Sequence, residues 1–121
     1  METTFYSGPY EGMYTRDNFL KALSNVEEFK ENIRSCGRYD IPNRDGNGGV
    51  RSFGLVIGKN INNINSGRIL HTSKYTTRNN PITSFFMGPK IFEETEIKIF
   101  AKRRAVLEGI EKVLEDVLSS E

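Results

Sequence analysis

The chain has 121 residues and a mass of 13.8 kDa, the size of one domain. Its residues are 36% hydrophobic and 27% charged, with eight Phe and five Tyr, which suffices for a core and excludes a disordered chain. Seventeen basic residues against sixteen acidic ones leave a formal charge of +1, which excludes a simple histone-like coat for polyanions. The balance conceals a segregation. Residues 34–104 hold thirteen basic and five acidic side chains, a net of +8, whereas the flanking segments together carry −7. A single cysteine, Cys36, excludes an intramolecular disulfide. Residues 1–14 lack the basic and apolar regions of a signal peptide, and no apolar run approaches the ~18 residues of a membrane span. The expectation is a soluble, cytoplasmic protein without a membrane partner.

In chain order, residues 1–14 place Phe5, Tyr6, Tyr10 and Tyr14 among Gly8, Pro9 and Gly12, whose turn chemistry interrupts any period. This reads as an aromatic arm that packs on its own domain or on a partner subunit, preceding a single α+β domain over 15–121. Phe19, Ala22, Val26, Phe29, Ile33 and Cys36 then recur at helical spacing. The spacing predicts a helix over 17–36, capped by Thr15 or Asp17 and ended by Gly37, with Cys36 as a small buried hydrophobe.

Residues 42–49 form a loop by composition. Alternation of Phe53, Leu55 and Ile57 predicts a strand over 51–58, and Ile69, His71, Ser73 and Tyr75 line one side of another over 68–77. An Asn-rich connection over 59–67 joins them. A turn at 78–81 leads into a predicted third strand over 82–87, which Gly88 and Pro89 end. Connections this short make the strands an antiparallel meander. Ile97 and Ile99 suggest a further short strand over 96–100. After it, Val106, Ile110, Val113 and Val117, flanked by Leu107, Leu114 and Leu118, predict a helix from about residue 101. The expected fold is α+β: three or four antiparallel strands with an N-terminal and a C-terminal helix.

Groups for catalysis are scarce. With one histidine, neither a multi-His metal site nor a Cys/His cluster can form, and no nucleophile elbow or Walker loop occurs. His71 beside Thr72 and Ser73 reads as a structural histidine, and Glu93 and Glu94 as solvated charges or helix-start carboxylates. The chain is expected not to be an enzyme and to need no cofactor or metal.

Binding features are better represented. The glycine-rich run 45–49 can form a nest of backbone N–H groups for an anion, bracketed by Arg44 and Arg51. Arg103, three residues before Val106, continues an apolar seam and needs a partner there: an acid, another subunit or a ligand phosphate. Arg104 lies beside it. Phe85 and Phe86, as neighbours on a strand, point to opposite faces. One can join the core, and the other must be covered by a helix, a partner or a flat ligand such as a base. Packing of both rings within the structure is the first reading, and Arg78 and Asn80 lie at the turn before them. Two helix seams and a spare arm exceed what a small sheet covers, which predicts a homo-oligomer, a two-fold dimer first, with an interface pocket walled by Arg and Phe.

The order of helix, antiparallel sheet and C-terminal helix, together with Arg34 and Arg38, Arg51, Phe85 and Phe86, and Arg103 and Arg104, resembles the first family of phage Thoeris anti-defence proteins. The resemblance implies a non-enzymatic oligomeric sponge for cyclic ADP-ribose-type or cyclic oligonucleotide signals, with Phe85 or Phe86 on adenine and arginines on phosphates. Two other readings stand beside it: a single-stranded nucleic-acid binder, disfavoured by the acidic flanks, and a protein–protein inhibitor from a mobile element.

Overall fold

A computed structural model describes residues 1–27, 29–58 and 63–119, apart from the side chains of Cys36, Leu118 and Ser119. The burial expected for Cys36, the flank at Leu118 and residues 59–62 of the 59–67 connection lie outside these residues. The chain runs β1 (Glu2–Pro9), α1 (Arg16–Ser24), β2 (Ile33–Pro42), β3 (Gly48–Ile57), β4 (Gly67–Thr77), α2 (Pro81–Met87), β5 (Lys90–Ala101) and α3 (Arg104–Ser119). All pairings are antiparallel in one five-stranded sheet of order β1-β5-β4-β3-β2. The fold is therefore α+β with a meander from β2 to β5, but the sheet is larger than the three or four strands expected.

The extra strands, β1 and β2, come from the N-terminal third, where an arm and a longer helix are expected. Residues expected as an arm supply β1, which pairs with β5 on the domain's own sheet, and Tyr6 and Phe5 pack against the core from it. The predicted first helix is cut short. Thr15 caps it, its hydroxyl accepting from the Asn18 N–H at 3.2 Å, and Asn25 ends it. Val26 and Phe29 then lie in turns, with Phe29 buried, and Ile33 opens β2 opposite Ile57. Their helical spacing arises because turn residues also point into the core. Gly37 is not a helix cap; its φ of +125° belongs to a bulge in β2.

Strands β3 and β4 follow the predicted alternation, and register places Phe53 opposite His71 and Leu55 opposite Ile69 on one face. That face carries the core. Leu55, Ile57, Ile69, Ile97 and Ile99 from the sheet meet Phe19 and Leu23 of α1 and Ile110 and Leu114 of α3, all essentially inaccessible. Each such side chain contributes about 1.5–3 kcal/mol of burial. Helix α3 sits so close to β4 that a Cβ at Gly67 would lie 2.5 Å from Ile110 Cδ1, which is why a side chain is missing there.

The third predicted strand is a helix. Asn80 caps α2, its Oδ1 accepting from the N–H groups of Ile82 at 2.9 Å and Thr83 at 3.3 Å, with Pro81 at the first helical position. Phe85 and Phe86 therefore do not alternate across a sheet; both are exposed, at 83% and 78%. Similarly, Arg103 lies in the bend before α3 rather than on its seam, and its Nη1 donates to Asn65 Oδ1 at 2.9 Å.

Candidate functional site

Helices α1 and α3 cover only part of the inner sheet face. Beside the first turn of α1, the same face opens into a pocket of about 230 Å³. Its position follows from register. Arg38 stands opposite Phe53, Arg51 opposite Ser73, and Phe53 opposite His71, so these side chains share the face that becomes core one step further on. Three guanidinium groups line the pocket: Arg16 from α1, Arg38 from β2 and Arg51 from β3. Aromatic walls complete it, from Tyr10, Tyr14, Phe53 and Phe92.

The walls are held by ring contacts. Tyr10 stacks on Phe92 with centroids 5.2 Å apart and 25° between planes. Arg51 lies over the Phe92 ring at 5.0 Å, and Tyr75 meets that ring edge-on at 5.7 Å. Phe53 stacks on His71 at 4.3 Å. Such contacts add roughly 0.5–1.5 kcal/mol each beyond burial. Behind Arg51, Asp40 ties four strands together. It accepts from the Tyr75 hydroxyl at 2.5 Å and from Lys90, and pairs with Arg51 at 3.6 Å. The Lys90 ammonium, then the Tyr75 hydroxyl, hold the Asp40 carboxyl below its ordinary value, and the same bond raises the Tyr75 phenol. Arg51 is thereby fixed in direction before any ligand arrives.

His71 forms part of the floor and is 4% exposed. Burial is the main reason its pKa drops to about 4, opposed by a bond to the Tyr14 backbone. Near neutral pH the ring is uncharged, and its Nε2 has no hydrogen-bond partner among the described residues. One acid, Asp17, also lines the pocket, and Arg16 lies 3.8 Å from it. The chemistry offered is therefore cationic forks and ring faces, suited to a small anion that carries a flat group.

Of the residues singled out from sequence, the structure brings Arg38 and Arg51 into this pocket. The others lie elsewhere. Arg44 is exposed in the β2–β3 turn, which abuts the end of β4 through the Thr77 N–H donating to Asn47. Arg78, Asn80, Phe85 and Phe86 belong to the β4–β5 connection at that end. Arg34, opposite Val56, Arg103 and Arg104 lie towards the other end of the sheet. The expected anion nest is not open either: the Gly46 N–H donates to Asn43 O at 3.1 Å and the Asn47 N–H to Asp45 Oδ1 at 3.0 Å.

Sequence reasoning missed Arg16, Tyr10 and Phe92, which reach the pocket from three separate segments. A larger hollow of about 790 Å³ lies along β1, β5 and β4, but Glu93, Glu94 and Glu96 line it against one Lys74, so it repels anions. Among the described residues, no helix is long and apolar enough to cross a membrane. No family model matches the chain, and neither a curated protein nor a solved structure does.

Proposed function

We propose that the protein binds a small nucleotide-derived anion in the pocket beside α1 and sequesters it without converting it. The observation that carries this reading is the convergence of Arg16, Arg38 and Arg51 with the Tyr10–Phe92 stack in one recess. Guanidinium groups suit phosphate oxygens, and the ring faces suit a base. The recess is smaller than the ~300–1,000 Å³ of typical ligand clefts. A compact cyclic ADP-ribose-like molecule placing one end inside fits it better than a cyclic oligonucleotide. The resemblance to Thoeris anti-defence proteins supplies the biological sense: removal of an immune signal in a host cell's cytoplasm.

The test is native mass spectrometry of the protein after incubation with an extract of nucleotide metabolites, followed by release of the bound species on heating. A bound mass in the nucleotide range, recovered unchanged, supports sequestration. Recovery of a converted product makes the protein an enzyme instead. Affinity that grows with strand length and weakens steeply with salt makes it a single-stranded nucleic-acid binder.

A further inference from the structure

The pocket beside α1 contains one group that a bare anion has no use for. Arg16, Arg38 and Arg51 line it, and so does Asp17, in the first turn of α1. The Asp17 side chain is 86% exposed, and the Arg16 Nε stands 3.8 Å from it, beyond hydrogen-bond length. An acid at a helix start complements the helix dipole, which accounts for a carboxylate on α1. In this recess it also weakens the hold on a phosphate, because like charges repel.

The remaining lining decides which part of a nucleotide meets that acid. Of the four rings, Tyr14 and Phe53 are buried, and Phe92 is already in contact with Tyr10, Arg51 and Tyr75. Tyr10, at 37%, is the ring most open to a ligand. A base stacked there, with phosphates on the guanidinium groups, leaves the sugar between them. Sugar hydroxyl groups donate and need acceptors, whereas guanidinium groups only donate. The buried Ser73 hydroxyl lies 3.0 Å from that of Thr95, and the Thr15 hydroxyl already accepts from the Asn18 N–H. His71 is buried against Phe53. Asp17 is the charged acceptor that remains.

We propose that Asp17 is the specificity-determining residue of the recess, its carboxylate accepting from the vicinal hydroxyl groups of the ligand's ribose. The pocket then takes a ribonucleotide in preference to a deoxynucleotide or a bare polyphosphate. A carboxylate has two oxygens to offer two hydroxyls, and bonds to a charged acceptor are the strong ones. This role rests on the nucleotide reading of the recess and adds to it which part of the ligand is selected.

The experiment is isothermal titration at low ionic strength with ADP, 2′,3′-dideoxy-ADP and inorganic pyrophosphate. It is run on the full-length wild type, Asp17→Ala and the isosteric Asp17→Asn, each first checked by thermal melting. The wild type should bind ADP roughly tenfold more tightly than dideoxy-ADP, which lacks the charge-assisted bonds. In Asp17→Ala the two nucleotides should come within about twofold of each other, through weaker binding of ADP alone. Asp17→Asn, with one neutral acceptor oxygen, should fall between. Pyrophosphate should bind both variants more tightly than the wild type, since the opposing charge is gone. Variants that shift all three probes in the same direction overturn the proposal, because a merely structural acid would do that. Wild type that binds both nucleotides equally overturns the role of Asp17 and leaves the nucleotide reading standing. Wild type that binds pyrophosphate and neither nucleotide overturns both.

Discussion

The Arg51 guanidinium lies 5.0 Å from the centre of the Phe92 ring, two strands away across β4. On its other side it meets the Asp40 carboxylate at 3.6 Å. A cation held between a ring and an acid loses little further freedom when an anion arrives, which favours binding through a lower ordering cost. The arrangement depends on three long-range pairings and on Lys90 and Tyr75 holding Asp40 in turn.

Asp40→Asn should therefore destabilise the protein at neutral pH. Because the folded carboxyl titrates below its ordinary 3.8, its contribution is complete above that value and is lost as pH falls through the lower folded one. Urea unfolding from pH 7 down to pH 2.5 should show a steeper acid loss in the wild type than in the variant. Parallel curves would mean that the carboxylate contributes nothing to folding.

His71 governs a different window. Its folded pKa of about 4 lies below the ordinary 6.5, so the unfolded chain takes up a proton that the folded chain refuses. Stability should fall as pH drops from 6.5 to about 4, by an amount of order 3 kcal/mol, and level off below. The imidazole resonance in an NMR titration should move with a midpoint near 4. A midpoint near 6.5 would place the ring in water.

Gly49 supports the site from behind. A Cβ there would stand 2.6 Å from both the Ile41 carbonyl oxygen and the Tyr75 hydroxyl, the group that donates to Asp40. Gly49→Ala is expected to cost roughly 1–3 kcal/mol in thermal unfolding. It should weaken ligand binding as well, since Arg51 loses its anchor. Wild-type melting would show that the hairpin can spread freely.

Helix burial separates two further substitutions. Leu114→Ala removes a fully buried side chain and should cost roughly 2–5 kcal/mol by urea unfolding. Phe85→Ser alters a side chain on a helix without buried residues, and monomer stability should stay within about 0.5 kcal/mol. Equal losses at both positions would contradict the packing described.

The parts of the fold legible in sequence are those fixed by local periodicity. Strand β4 announces itself through Ile69, His71, Ser73 and Tyr75, and α3 through Val106, Ile110 and Val113, because one face of each meets the core. Strand β1 was hidden by Gly8 and Pro9, tolerated because it is an edge strand. Helix α2 did carry a signal, Asn80 before Pro81, which is N-cap chemistry as well as turn chemistry. The pocket was half legible. Arg51 stands out as a cation at a loop-to-strand junction, and Arg38 only through the resemblance, as the end of an expected helix. Arg16, Tyr10 and Phe92 join them only through register and the placing of α1, which no local pattern encodes.

The central claim is that this recess holds a nucleotide-type anion, and isothermal titration with cyclic ADP-ribose tests it most directly. The wild type should bind saturably at one site per chain. Arg38→Ala, exposed and without a partner role in the Asp40 network, should weaken binding at least tenfold while melting normally. No heat from the wild type, or equal affinity in wild type and Arg38→Ala, would contradict the account.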